Sequence, residues 1–371
     1  MRKLLFVASV TILFFSAQAQ ESKVSTPKDS LDLMIGQMIM VGLGDFNTMD
    51  QQAPVYKDIR SGKVGGVILF EKNLANKNTE ANLKKILDFT QAQSETPLFV
   101  SIDEEGGRVN RLKTKYGFPK TVTAQYLGKI DNVDSTSFYA KQTAGILYQL
   151  GVNMNFAPSV DVNVNPENPV IGKIGRSYSE DPLVVAKHAQ AWIEGHDLFG
   201  MATVLKHFPG HGSSKNDSHL GLTDVSTTWR FEELMPYRAL LDSGKVHAIM
   251  TAHIVNEVLD ESKLPATLSD KVISDVLRGF MGYDGVVVSD DMQMKAISAQ
   301  YPLEESIKMA VLAGVDILLF ANNVPDYELV TAEQIHSIIK KLIENGDISR
   351  DRIIQSYNRI LSLKKDMGLL K

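Results

Sequence analysis

Eight short apolar runs recur along this sequence, separated by longer amphipathic stretches. They occupy residues 37–41, 66–70, 98–103, 153–157, 202–207, 248–252, 285–289 and 317–320. Near-continuous apolar runs of this length suit strands covered on both faces, the situation of a parallel sheet. Between and after them, helical periodicity predicts helices over 80–93, 135–150, 183–198, 231–243, 270–278, 303–313, 327–345 and 350–364. Strands that alternate with helices imply repeated βαβ units. Eight such units predict the α/β class and a single (β/α)8 TIM-type barrel. The length of 371 residues admits that barrel or two smaller domains. No low-complexity linker and no short-period repeat divides the chain, and no Gly-x-Gly-x-x-Gly follows the first run, so one barrel over 30–371 is expected rather than an open doubly wound sheet.

The N-terminus has a different character. Arg2 and Lys3 precede an apolar stretch from Leu4 to Phe15, and Ala17-Gln18-Ala19 matches a small-x-small cleavage pattern. Residues 1–19 are therefore expected to be a signal peptide and 20–29 a polar leader. The apolar stretch is shorter than the roughly 20 residues that span a bilayer. The sequence has no Cys, so no lipid anchor can follow the cleavage site. An exported protein, periplasmic or extracellular and free of the membrane after cleavage, is the expectation. The formal net charge of −5 argues against a nucleic-acid partner gripped through bulk positive charge. A monomer is expected.

In a barrel of this kind the chemistry sits at the C-terminal ends of the strands, and here those ends are polar. The third run leads into Asp103-Glu104-Glu105-Gly106-Gly107-Arg108, with Arg111 close behind. The fourth leads to Asp161 and a loop reaching Arg176, and the fifth ends in Lys206-His207. The sixth ends in Thr251-Ala252-His253, the seventh in Ser289-Asp290-Asp291 and the eighth in Asn322-Asn323. Structural roles compete for several of these. Glu104 or Asp291 can cap a following helix, Glu180-Asp181-Pro182 reads as a helix start, and Asp161 can orient a loop or touch a ligand. His188, His196 and His336 lie in helical stretches, and His247 precedes its strand at the N-terminal end.

The segment His-Phe-Pro-Gly-His-Gly-Ser-Ser-Lys-Asn-Asp-Ser-His at 207–219 reads as a loop. Asp217 and His219 stand two residues apart, close enough for their side chains to meet in a turn. A carboxylate beside an imidazole fixes its tautomer and raises its basicity, as a general acid/base near neutral pH requires.

These residues resemble the bacterial β-N-acetylhexosaminidases of glycoside hydrolase family 3. The resemblance rests on Ile-Asp-Glu-Glu-Gly-Gly-Arg-Val-Asn-Arg at 102–111, Gly-Arg-Ser-Tyr-Ser-Glu-Asp-Pro at 175–182, Lys-His-Phe-Pro-Gly-His-Gly at 206–212, Asp-Ser-His at 217–219 and Ser-Asp-Asp-Met at 289–292. It implies that Asp290 is the catalytic nucleophile, His219 the general acid/base and Asp217 its dyad partner. It implies that Asp103, Arg111, Arg176, Lys206 and His207 bind an N-acetylglucosamine unit. A run that is commonly Asp-Gln-Glu in such relatives is Asp-Glu-Glu here. Many members carry a second α/β domain, which this chain is expected to lack.

The expected activity is exo-acting, retaining hydrolysis of terminal non-reducing N-acetyl-β-D-glucosamine, with peptidoglycan fragments as substrates and no cofactor or metal. In such chemistry a nucleophile and a proton donor flank the anomeric carbon. Three alternatives stay open on the residues alone. The scaffold could favour glucosides or transfer the sugar to phosphate. His207, His211, Asp217, His219 and His253 could ligate zinc, although the lack of Cys excludes thiolate ligands. The barrel could also bind sugar without turnover.

Overall fold

The computed structural model describes residues 31–323 and 329–370; the predicted signal peptide and leader lie outside them. All eight apolar runs form strands. These are β1 (Ile39–Gly42), β2 (Gly66–Leu69), β3 (Phe99–Ile102), β4 (Met154–Asn155), β5 (Ala202–Phe208), β6 (Ala248–Thr251), β7 (Val286–Val288) and β8 (Leu318–Phe320). Each pairs in parallel with its neighbours in chain order, and β8 returns to pair with β1. A single parallel bridge, Val288 to Ile317, joins β7 to the start of β8 and completes the ring. Every residue of the eight strands is buried, which explains why they read as apolar runs rather than as alternating patterns.

The outer layer comprises α1 (Leu31–Gln37), α2 (Pro54–Arg60), α3 (Thr79–Ala92), α4 (Ala124–Ile130), α5 (Val133–Leu150), α6 (Pro182–Asp197), α7 (Met235–Asp242), α8 (Lys271–Phe280, wound as a wider π-helix), α9 (Leu303–Ala313), α10 (Ala332–Glu344) and α11 (Arg350–Asp366). Local chemistry sets their ends. The Asn132 side chain caps α5 by accepting the Ser135 N–H, and Gly151 stops it in the left-handed region. Asp181 caps α6, whose first residue is Pro182, so the Glu-Asp-Pro triplet is a helix start.

Three boundaries differ from expectation. Gln37 ends helix α1 instead of starting a strand, because the last turn of the short helix and β1 are both buried and run on without a break. The helix expected over 327–345 begins at Ala332, where Thr331 and Gln334 cap each other's backbone N–H groups; residues 324–328 lie outside the described residues. The segment 231–243 opens with a tight turn, Phe231–Leu234, before α7.

Two long loops are fastened together over the C-terminal mouth. At Gly212, an added Cβ would lie 1.7 Å from the Val162 carbonyl oxygen, so only glycine permits this approach of the loop after β5 to the loop after β4. Further along, Thr223–Asp224 pairs in parallel with Ile254–Val255 from the loop after β6. The stretch between these two fastenings carries Asp217 and His219.

Candidate active site

A cleft of about 700 Å³ opens at the C-terminal mouth. Asp103, Arg111, Arg176, Lys206, His207, Asp217, His219 and Asp290 all line it, together with Phe70, Phe156, Val170, Leu220 and Met294. They come from the ends of five strands, or the loops that follow them, and converge because those strands belong to the same closed sheet.

At one side lies a dense ionic cluster. Lys206 Nζ donates to Asp103 Oδ1 at 2.7 Å and lies 2.6 Å from Glu105 Oε1. Arg176 clamps Glu105 in bidentate fashion, Nη2 to Oε1 at 2.7 Å and Nε to Oε2 at 2.9 Å. Arg111 Nη2 reaches Asp103 Oδ2 at 3.2 Å, and its guanidinium lies 5.8 Å from the centre of the Phe70 ring. Burial pushes the Asp103 carboxyl up, but Lys206 and Arg111 outweigh it and hold it below its ordinary value. Burial likewise opposes ionisation of Glu105, yet Arg176 and Lys206 bring it down to about 2. The cations that line the cleft are thus held by carboxylates and are ready-oriented donors.

Asp161 belongs to the layer beneath. It is fully buried and does not line the cleft. Its Oδ2 meets His207 Nδ1 at 2.7 Å and accepts the Ser159 hydroxyl, while Oδ1 accepts the backbone N–H groups of His207 and His211. Of the two readings open for this residue, the structure places it as a loop-orienting group. His207 Nε2 then faces Arg176 Nη2 at 3.2 Å.

Asp217 and His219 do meet. His219 Nδ1 lies 2.7 Å from Asp217 Oδ1, which also accepts the His219 backbone N–H at 2.8 Å. Nε2 is left to the cleft, and the His219 side chain is 60% exposed, so the dyad borders solvent. Across the cleft Asp290 accepts the Asp291 N–H at 2.8 Å. Burial raises the Asp290 carboxyl, but the imidazoles of His253, His207 and His219 more than offset this, and it is held below the ordinary carboxylate value. It is therefore ionised at neutral pH, as a nucleophile must be.

Neighbouring carboxyls behave differently. Asp291 accepts the N–H groups of Gln293 and Ala321, tying the end of β7 to β8, and burial pushes it up to about 6. Glu104 caps no helix: it accepts the N–H groups of Arg111 and Leu112 and the Asn110 side-chain amide. Burial pushes it up to about 7. The zinc set does not assemble. His211 binds Ser214 and Ser218, and His253 binds Thr267 and the Asp291 carbonyl. Among the described residues no group of three or more His, Asp or Glu side chains is placed to hold a metal ion. His188, His196 and His336 are buried in their helices. His247 lies at the opposite end of the barrel beside Asp197.

Glu105 was not singled out in sequence. Its partner Arg176 is 71 residues away, and nothing local in the sequence marks the pair.

The model of the glycosyl hydrolase family 3 N terminal domain matches residues 30–363. Beta-hexosaminidase A of Pseudoalteromonas piscicida is 35% identical over 81% of this chain; the chain spans 53% of that relative, about half its length. A beta-hexosaminidase of Alkalilimnicola ehrlichii is 33% identical over 80% of this chain and 82% of its own. Among solved structures, the family 3 beta-N-acetylglucosaminidase of a Paenibacillus species superposes with a TM-score of 0.82 at 37% identity, over 92% of this chain and 63% of that one. The Beta-N-acetylhexosaminidase of Beutenbergia cavernae does so with a TM-score of 0.80 at 29% identity, over 91% and 98%. On sequence and fold together, the chain belongs to glycosyl hydrolase family 3.

Proposed function

We propose that this chain is an exo-acting, retaining β-N-acetylhexosaminidase that hydrolyses terminal non-reducing N-acetyl-β-D-glucosamine from glycosides, peptidoglycan fragments among them. The observation that carries the reading is that Asp290 and the Asp217–His219 dyad line one cleft with the ionic cluster of Asp103, Arg111, Arg176, Lys206 and His207. The beta-hexosaminidases similar to it support the choice of sugar.

In the first step Asp290 attacks the anomeric carbon while His219 passes a proton to the departing glycosidic oxygen. The C–O bond to the aglycone breaks and an ester bond to Asp290 forms. Neutral His219 then takes a proton from water, which attacks the same carbon and releases Asp290. A histidine donor becomes neutral when spent, so no second negative charge builds up opposite the ester. Asp217 keeps Nδ1 protonated and leaves Nε2 to move the proton. The terminal hydroxyls meet Asp103, Lys206 and Arg176, whose buried ends close the cleft at that side and favour an exo mode.

Asp290→Ala should remove release of 4-nitrophenol from its N-acetyl-β-glucosaminide, a loss of at least about 10⁴-fold; wild-type-like release would defeat the proposal. A panel that includes the aryl glucoside, muropeptides and added phosphate tests the sugar, the natural class and the acceptor. Faster cleavage of the glucoside, or sugar phosphate as the main product, would contradict it.

The same reading includes export, with residues 1–19 removed. Mass analysis of the protein recovered outside the cytoplasm should show a chain starting at Gln20. An intact N-terminus there would contradict it.

A further inference from the structure

Between the half-buried Asp217 and the exposed His219 sits a residue of opposite character. Ser218 is 2% exposed, while the His219 side chain beside it is 60% exposed. The Asp217–His219 turn therefore points its middle side chain inward. That hydroxyl lies 3.1 Å from Nε2 of His211. The other ring nitrogen of His211 lies 2.7 Å from the Ser214 hydroxyl. His211 is itself anchored on both sides of its backbone: its N–H donates to Asp161 at 2.7 Å, and its carbonyl accepts the Asn168 amide at 2.7 Å.

We infer that the buried His211–Ser218 contact is a latch that sets where the acid/base loop stands over the cleft, making both of them positioning residues for His219. The inference rests on the proposed acid/base role of the dyad. The latch is independent of the dyad bond, which is internal to the turn. Without Ser218's hydroxyl, Asp217 would still hold His219, but the turn as a whole would lose a buried side-chain tie to the anchored His211. The ionic cluster that meets the sugar is not touched by Ser218 at all. Burial brings His211 down to about 4, so it stays neutral at working pH. One nitrogen then donates and the other accepts, and two hydroxyls can satisfy either tautomer.

The latch also has a route to the sugar side. Asp161 binds the His207 ring through one oxygen and the His211 N–H through the other. His207 meets Arg176, which faces the cleft. The sugar-binding cluster and the acid/base loop are thus registered against one buried carboxylate, 46 and 50 residues earlier in sequence.

A displaced proton donor hurts substrates in proportion to their need for a proton. Ser218→Ala should lower kcat/KM by about tenfold or more on an alkyl N-acetyl-β-glucosaminide, since small misplacements of a catalytic group cost up to about 100-fold. In kcat/KM, which reports only the steps through loss of the aglycone, the effect on the 2,4-dinitrophenyl glycoside should stay within about twofold, because that group departs without protonation. The midpoint of the pH profile should not move, since the dyad bond is intact. Ser218→Thr, which keeps the hydroxyl, should stay closer to wild type than Ser218→Ala on the alkyl substrate. Thermal unfolding checks that each variant is folded.

Equal losses of kcat/KM in Ser218→Ala on both substrates, or none on either, would overturn the latch. His219→Ala run in parallel separates the two levels. If it too lacks leaving-group dependence, the acid/base reading fails and the latch with it. If it shows the dependence and Ser218→Ala does not, the latch alone fails.

Discussion

Glu105 and Glu104 are adjacent in sequence and opposite in chemistry. Glu105 is wrapped by Arg176 and Lys206 and held at about 2, while Glu104 faces amide donors and burial carries it to about 7. Replacing Glu105 by Gln leaves Arg176 without its carboxylate partner and Lys206 with Asp103 alone beside the cleft. The account predicts a rise in KM of about tenfold or more and a loss of about 3 kcal/mol in stability, as for breaking one side of a buried ion pair; steady-state kinetics and urea unfolding read both. For Glu104 the sign runs the other way. Its folded value lies above the unfolded 4.5, so the folded state keeps a proton that the unfolded state has lost between the two. Its contribution to stability is present below pH 4.5 and lost as pH rises through 7, by at most about 3 kcal/mol. Glu104→Gln does not titrate. Relative to wild type it should therefore gain stability on going from pH 4.5 to pH 8; equal pH dependence of the two proteins would count against the assignment. At this scale much was legible: polar residues at the strand ends gave Asp103, Lys206, His207 and Asp290, and the two-residue spacing of Asp217 and His219 gave their contact. Glu105 was not, because its meaning lies in partners brought close only by closing the barrel; for Asp161 a loop-orienting role and ligand contact both stood open, and its buried partners decide for the first.

Elements carry the site through their ends and fastenings. β4 has only two residues in the ladder, Met154 and Asn155, yet Asn155 bonds the backbone of Glu104 on the neighbouring strand's exit, N–H to Oδ1 at 3.0 Å and Nδ2 to O at 3.1 Å. The loops after β4 and β5 touch at Gly212, and the acid/base turn hangs from that contact. Gly212→Ala would drive a Cβ into the Val162 carbonyl. The expected result is a destabilisation of about 1–3 kcal/mol, as for overpacking, together with a fall in kcat greater than any rise in KM, because the sugar cluster stands apart from this contact. Retained kcat would show that the loop tolerates the shift. All eight strands were legible as apolar runs. Helix α1 was not, since a seven-residue helix whose buried last turn abuts a strand shows no break there, and α2 and α4 are too short, at seven residues each, for periodicity to stand out.

The whole molecule is a ring whose two ends have different duties. Its C-terminal mouth holds the cleft, and its N-terminal end is sealed by α11. There Lys364 is fully buried, donating to Gln37 Oε1 at 2.6 Å and the Gly65 carbonyl at 3.1 Å, with the Phe99 ring centre 4.8 Å away. No carboxylate is among these contacts, and burial brings its ammonium down to about 7. Between pH 7 and the unfolded value of 10.5 the unfolded chain binds the extra proton. Lys364 therefore makes stability rise with pH across that window. Unfolding of wild type and Lys364→Met at pH 7 and pH 10 should show the rise in the first and a smaller one in the second; identical slopes would contradict it. Nothing in the sequence pointed to this lysine, whose partner Gln37 is 327 residues away. The ring itself was legible because its eight units repeat one pattern.

The central claim is that Asp290 forms a covalent bond to the sugar. Wild-type protein quenched during slow turnover of an activated, fluorinated N-acetylglucosaminide, then digested and mapped by mass spectrometry, tests it most directly. The account predicts one sugar mass on the peptide containing Asp290 and none there in Asp290→Ala. Turnover of the probe with the sugar on another residue, or with no adduct at any stage, would contradict it.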